Sequence, residues 1–547
     1  MARGYLAIVL HAHLPYIRPA PCHPGREEAW FFERAQECYL PLVRVLDDLH
    51  RDRIRTRLTL SLSPTLIALM RDPTIQKRLF EHIDRMIDLS AREMNRTALM
   101  PELHRLTGTY HLRLLHLRNT LAERCRGNLI HAFSDLESRG QVELITCPAS
   151  HAFLPGMMAI QPQAARCQIR LGLDTFERAF GHRPAGFWLP ECAYTPELDD
   201  VLAGEGVGYI LVDGRALEHA STPAVHGVHA PVYCPSGVAA FGSDRNGSGL
   251  IGCDRCGHPT DPLYRDNRRD IADELPLDYL RPFMPDAGVR VPTGLRYQRL
   301  GGHNGDSSTV YVQTKALDRA ARHAEEYMRE RMRRAESLAG KMDRPPVFAS
   351  VYDMHVFGYR WFEGVEFLNY LLRKTHCDQG VLETLTPGEY LGRHACNQMT
   401  TPGVSSWGED GYFEEWVGMR NAWVYQHLSR AARVMHHLSI SVAGEHPDGH
   451  GNGSRDPSHG DGNGNNLTDR ALRAAARQLV LAQSGDWPAM MNTAENEQYG
   501  LDRLKLHLSN FARVASQLRN KSVDAEQIEE LERDWPIFEE IRADAYR

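Results

Sequence analysis

The 547-residue chain has no run approaching the about 20 consecutive apolar residues that span a bilayer. Its opening, MARGYLAIVLHAH, holds an apolar stretch too short for a signal peptide and runs straight into histidines. Nor is there an excess of positive charge. The 63 Lys and Arg stand against 70 Asp and Glu, a net −7, which leaves no electrostatic footprint for duplex nucleic acid or anionic membranes. No repeat of fixed period is visible, and there is no cysteine framework. The 11 cysteines, an odd number, are scattered in the manner of reduced thiols in a cytoplasm. What is present is globular: 42% hydrophobic and 24% charged residues support a large core, and the length suits two or three domains. The expectation is a soluble cytoplasmic enzyme without nucleic-acid or membrane partners.

Along the chain, short apolar runs alternate with polar clusters and longer helical stretches. The seven runs are Tyr5–Leu10, Leu58–Leu62, Val142–Cys147, Gly186–Leu189, Gly208–Val212, Val238–Phe241 and Val347–Tyr352. Continuous rather than alternating apolar residues are what strands need when both faces are buried, as in a parallel sheet clothed by helices. Several runs end in ionisable residues: HAH, PASH, PE and DMH. Barrel enzymes collect their chemistry at the carboxyl ends of such strands. The pattern therefore predicts an α/β fold, a (β/α) barrel, with a doubly wound open sheet as the alternative. Residues 1–70 and 139–404 would form the barrel. Residues 71–138, charged with apolar residues such as Leu103, Leu106, Tyr110, Leu112 and Leu115 at helical spacing, read as a helical insertion. Residues 405–547 read as a carboxy-terminal helical domain. Within it, 443–466 is too rich in Gly, Asn, Asp and His to bury a core and reads as a mobile loop. Its His446, His450 and His459 are read as solvated rather than metal-binding.

Two carboxyls stand out. Glu191, in GFWLPECAY, follows a strand-like run and a proline; it could cap the next helix or serve chemistry. Asp353, in VFASVYDMHVFGYRWFEG, also ends an apolar run. Strands of one barrel would bring both to one mouth, and two carboxyls across an acetal form the basic machine of glycoside hydrolysis and transfer. His11 and His13 lie two apart, so both point the same way at a strand end. With His151 and His355 they offer four imidazoles, for a zinc site, for sugar hydroxyls, or as satisfied core groups. Trp30 and Trp407 lie in loop-like contexts and suit a cleft that stacks sugar rings, whereas Trp423, inside a helical run, reads as core. Cys253 and Cys256 with His258 have a metal-like spacing but lack a second pair, and read as free thiols.

In order along the chain, HAHLPY (11–16), ITCPASHAFLP (145–155), GFWLPECAY (186–194), SVYDMHVFGYRWFEG (350–364) and SSWGEDGYFEEW (405–416) resemble the signature regions of glycoside hydrolase family 57, and within it those of members that branch α-glucans. The resemblance implies an incomplete (β/α)7 barrel with a helical insertion and a helical carboxy-terminal domain. It implies Glu191 as nucleophile and Asp353 as general acid/base of a retaining double displacement on an α-1,4-glucan. It places His11, His13, His151 and His355 around the donor sugar. Trp30, Trp188, Trp361, Trp407 and Trp416 would line the cleft, and Asp486 would reach it from the helical domain. No metal and no organic cofactor are implied. The departures fall on the acceptor side: Ser243 stands for an arginine, Gly252 for a tryptophan, Thr260 for a glycine, Glu495 for a glutamine, and Leu217–Ala220 lacks the loop aromatic. Hydrolysis or α-1,4 transfer by the same machinery is therefore the alternative outcome.

Overall fold

The structure is a computed structural model that describes residues 2–17, 26–252, 256–285, 290–301, 310–408, 410–444, 462–493 and 496–547. Each of the seven apolar runs contains a strand: β1 (Gly4–Ala12), β2 (Leu58–Leu62), β3 (Val142–Ile145), β4 (Gly186–Trp188), β5 (Tyr209–Val212), β7 (Ala239–Gly242) and β8 (Val347–Asp353). Two short strands lacked a clear sequence signal, β6 (Val232–Tyr233) and β9 (Leu382–Thr384). One sheet runs β3-β2-β1-β8, all parallel, with β9 against Gly4–Leu6 of β1. The other runs β4-β5-β7-β6, and only β6 is antiparallel. The sheets meet at two seams. Trp188 N donates to Thr146 O at 2.8 Å, and Asp244 N donates to Ala349 O at 2.9 Å.

The double burial read from the sequence is explained by what lies on each face. Leu6, Ile8 and Leu10 of β1 pack outward into the helices, while Tyr5, Ala7 and Val9 face a second core. That second core is built from Ile145 of β3, Trp188 of β4, Leu211 of β5, Phe241 of β7 and Val351 of β8. Each aliphatic side chain so buried contributes roughly 1.5–3 kcal/mol. Long helices cover the outside, among them Leu40–Arg51, Pro162–Phe180, Gln313–Leu338 and Gly364–Cys377. The fold is thus mixed α/β with parallel sheets and many helices.

The interval 71–138 is helical, as Pro73–Arg96, Pro101–Asn119 and Leu129–Ser138. Its spacing was only half right. Leu106, Tyr110, Leu114 and Leu117 form the buried stripe, whereas Leu112 is 58% and Leu115 37% exposed. Beyond residue 405 the first helix begins at Trp423 rather than near Ser405. Asn421 is the reason. Its side chain accepts from Gly418 N and donates to Glu415 O and Pro488 O, holding 415–421 in turns. Trp423 consequently sits at a helix start, 40% exposed, and is not core. Helices Trp423–Gly444 and Gly462–Ala482 extend into both ends of the segment expected to be a loop, and its histidines 446, 450 and 459 lie outside the described residues. Among the described residues eight cysteines are free thiols, but Cys256 is disulfide-bonded, which corrects the reading of Cys253 and Cys256 as free thiols. No helix is long and apolar enough to cross a membrane among the described residues.

Candidate active site

The polar strand ends converge. His11 lies within β1, and its Nδ1 bonds Ser61 Oγ of β2 at 2.9 Å. Its Nε2 meets His151 Nε2 at 3.0 Å. His13 follows β1; its Nδ1 bonds Ser63 Oγ at 2.9 Å, and its Nε2 reaches both oxygens of Asp486 at 2.9 and 3.0 Å. Asp486 arrives from 473 residues away, on a turn whose Ser484 pairs with Ala152 and donates to Asp486 Oδ2 at 2.5 Å. Trp188, His11, His151 and His13 form a ladder of near-parallel rings. Trp188 and His11 lie 4.5 Å apart at 7°, His11 and His151 5.0 Å apart at 17°, and His151 and His13 3.8 Å apart at 9°. Burial, followed by the neighbouring imidazoles, drives His11 well below its ordinary range. Burial does the same to His151. Neutral rings of this kind each offer one donor and one acceptor, the inventory that sugar hydroxyls need.

Glu191 sits just past β4 in a left-handed conformation, φ 62° and ψ 20°. His151 (φ 56°) and Cys192 (φ 49°) share that unusual region. Backbone strain of about 1–3 kcal/mol per residue persists where surrounding structure over-determines it, commonly at functional sites. Trp407 grips Glu191 twice: its indole Nε1 donates to Oε2 at 2.5 Å, and its backbone N–H donates to Glu191 O at 2.9 Å. Burial pushes the Glu191 carboxyl up to about 8, against the indole bond that favours the charged form; Asp486, Glu415 and Asp353 add repulsion. These four acids thus share one electrostatic neighbourhood. Asp353 is the last residue of β8, one-third exposed. Its Oδ1 accepts from His355 N at 2.9 Å and faces His355 Nδ1 at 3.4 Å. Arg360 approaches Oδ2 at 3.8 Å.

The remaining expected residues are placed differently. Trp416 is 3% exposed and stacks on Phe153 at 5.4 Å, forming a wall rather than a free platform. Trp188 is fully buried beneath His11. Trp30 lies in helix Arg26–Arg34, not in a loop, half-buried and edge-on to Tyr499 at 5.5 Å. Trp361 does not reach the cleft. The 357–361 loop folds back through Gly358 N to Trp361 O at 2.7 Å, which sends the indole into the core against Tyr264 and Phe367. On the acceptor side, Ser243 Oγ accepts from Gly214 N at 3.2 Å, and Thr260 Oγ1 bonds Gly257 O at 2.8 Å. A side chain added at Gly252 would meet no described atom within 4 Å, and Glu495 lies outside the described residues. Sequence reasoning missed Ser61, Ser63, Ser484 and Tyr39, which hydrogen-bond His11, His13, Asp486 and His355 respectively. The serines were detectable as the polar ends of LTLSLS and of the SGDW turn; Tyr39, inside a helical stretch, carried no signal.

His13, His151 and Asp486 bring possible ligand atoms within 4.8 Å of one another. The donor set does not suit an ion, because the two imidazoles are stacked face to face at 3.8 Å and 9°. A metal lies close to the plane of each ring it binds at about 2.0–2.1 Å, and planes stacked 3.8 Å apart at 9° meet only far beyond that distance. His355 Nε2 is occupied by the Tyr39 hydroxyl at 2.6 Å.

Residues 7–405 match the model of glycosyl hydrolase family 57, and residues 458–546 match that of the 1,4-alpha-glucan branching enzyme C-terminal domain. The chain belongs to glycoside hydrolase family 57. A 1,4-alpha-glucan branching enzyme of Thermococcus kodakarensis is 25% identical over 98% of this chain and 77% of its own length. Among solved structures, the novel alpha-amylase AmyC of Thermotoga maritima is 31% identical, with a TM-score of 0.88 over 100% of this chain and 99% of its own. The branching enzyme of Pyrococcus horikoshii is 24% identical, with a TM-score of 0.83 over 100% and 97%, and shares the fold.

Proposed function

We propose that this protein is a 1,4-α-glucan branching enzyme that cuts an α-1,4 bond and passes the cut chain to a 6-hydroxyl. The observation that carries the reading is the branching-enzyme domain match at 458–546, because the same region supplies Asp486 to the His13 ladder beside Glu191. The two sheets, joined at the Thr146 and Asp244 seams around one inner core, support an incomplete (β/α)7 barrel. Residues 1–70 and 139–404 would be that barrel, 71–138 its helical insertion and 405–547 the helical domain that covers the strand ends.

In this reading Glu191 attacks the anomeric carbon and Asp353 protonates the leaving glycosidic oxygen. Attack extinguishes the charge that burial disfavours on Glu191, so desolvation favours the forward step. The indole of Trp407 favours the ionised carboxylate that attack requires. After the leaving chain departs, Asp353 takes the proton of the incoming 6-hydroxyl, and the glycosyl ester on Glu191 resolves with overall retention. His11, His13, His151 and Asp486 hold the donor sugar's hydroxyls. The work is done by side chains of this chain, with no resident metal or cofactor.

Hydrolysis is the second reading, favoured by the 31% identity to an alpha-amylase and by the acceptor-side residues Ser243, Thr260 and Gly252. Incubation with linear amylose separates the two. New α-1,6 anomeric proton signals with few new reducing ends are expected; reducing ends without α-1,6 signal would establish the hydrolase.

A further inference from the structure

Between helices Arg26–Arg34 and Leu40–Arg51 the backbone makes a π-helical turn, Ala35–Tyr39. Single π-turns are rare and occur where a side chain must be displaced from the helical register. Here the displaced residue is Tyr39, fully buried, whose hydroxyl lies 2.6 Å from His355 Nε2. The other ring nitrogen of His355 faces Asp353 Oδ1 at 3.4 Å. Cys38, the neighbour of Tyr39, donates its thiol to Met354 O at 3.3 Å, tying the turn to the segment that carries Asp353 and His355.

A chemical assignment follows from burial. The Tyr39 phenol is pushed far up, so it stays protonated. Burial holds His355 down at about 3, with Asp353 opposing and Arg34, His13 and Arg360 adding to the effect, so the ring is neutral. Among the described residues the buried Tyr39 hydroxyl has no other hydrogen-bond partner, so its proton is satisfied only by donation to His355 Nε2, which accepts. The single ring proton of neutral His355 then sits on Nδ1, the nitrogen that lies 3.4 Å from Asp353 Oδ1. That oxygen already accepts from His355 N at 2.9 Å. Oδ1 accepts the His355 N–H and faces the Nδ1 proton at 3.4 Å, whereas Oδ2 meets only the more distant Arg360 at 3.8 Å, so the proton of the acid form resides on Oδ2.

We propose that Tyr39 is a positioning residue for proton delivery: it fixes the tautomer of His355 and thereby assigns the transferable proton of Asp353 to Oδ2. The inference rests on the reading of Asp353 as general acid/base. In the step it serves, the Oδ2–H bond breaks, the proton passes to the glycosidic oxygen, the C–O bond cleaves, and Asp353 is left as carboxylate. Without the Tyr39 hydroxyl, His355 is free to take the other tautomer and present a lone pair to Asp353. The acid proton can then be captured on Oδ1 and diverted from the leaving group.

Tyr39→Phe tests this on the full-length enzyme. The expected result is a fall of about tenfold or more in kcat on amylose with KM little changed, and an alkaline limb of the pH–rate profile moved to higher pH. Glycosyl transfer from a nitrophenyl α-maltooligoside, whose leaving group needs little protonation, should stay near the wild-type rate. An equal loss on both donors with an unmoved limb, or no loss on either, would overturn the proposal. Asp353→Asn is the control for the underlying reading: if it shows no preference for the nitrophenyl donor, the acid/base assignment itself fails. A measurement independent of the substitution is nitrogen-15 NMR of labelled histidine, assigned with His355→Gln. A proton on Nδ1 of His355 is expected; a proton on Nε2 in the unaltered enzyme would refute the assignment.

Discussion

Glu191 combines three features that a structural glutamate would not need together: a left-handed backbone, a half-buried carboxyl whose desolvation raises its pKa, and a single strong donor from Trp407. Its carboxyl rises to about 8, above its unfolded value near 4.5. The corresponding stability is present below the unfolded value and is lost as pH rises through about 8, because the folded state must then carry a desolvated charge. Glu191→Gln should abolish transfer while raising the melting temperature by a few °C, with a gain larger at pH 9 than at pH 5, as read by thermal scans. A melting temperature that falls would show Glu191 to be structural. Trp407→Phe removes the donor that favours the ionised form. The acid limb of kcat/KM should move to higher pH, and the rate near neutrality should fall about tenfold or more. At this scale the sequence was generous: the acids, the histidines, Trp407 and Asp486 all stand in recognisable strings. Trp361 was misread because its neighbours suggest a cleft, while its destination depends on a fold-back at Gly358 that no local pattern announces.

The strands were the most legible elements, because two buried faces demand continuous apolar residues and few other elements so short do. The two strands without clear signal, Val232–Tyr233 and Leu382–Thr384, are too short for periodicity to register. The start of the helix at Trp423 was hidden for another reason: residues 416–422 have helix-compatible composition, and only the tertiary bonds of Asn421 keep them in turns. The π-turn at Ala35–Tyr39 was equally invisible, yet one glycine reports its presence. Gly358 has φ +101°, and a Cβ there would come within 2.0 Å of Glu37 O in that turn. Gly358→Ala therefore combines backbone strain with a clash against main chain. It should cost about 2 kcal/mol or more in chemical denaturation and lower kcat through the displaced Asp353 segment. A variant as stable and active as the parent would refute the close approach.

Across the whole molecule, the cleft is assembled from distant parts. The His13–Asp486 bond spans 473 residues, and Arg503 Nη2 donates to Tyr16 O at 2.7 Å beside it, so the carboxy-terminal helices dock against the loops that follow the strands. The donor side is saturated with such bonds. Gly252 ends helix Arg245–Gly252, and among the described residues no atom lies within 4 Å of a side chain added there. Gly252→Trp should consequently be tolerated, and an indole there should raise the ratio of α-1,6 bonds formed to reducing ends released, measured by anomeric proton NMR and a reducing-end assay. An unchanged ratio in a folded variant would mean that this position does not shape acceptor binding. Family signatures made the family itself readable from sequence, as the match at 7–405 shows.

The central claim is that Glu191 carries the glycosyl group between donor and acceptor. Rapid acid quench of Asp353→Asn reacting with an α-maltooligosyl fluoride, followed by peptide mass spectrometry, reads this directly, since the fluoride leaves without acid help while turnover of the ester is slowed. The account predicts a glycosyl ester on the peptide bearing Glu191 that disappears in Glu191→Gln. An ester on another carboxylate, or fluoride released with inversion at the anomeric carbon and no ester, would contradict it.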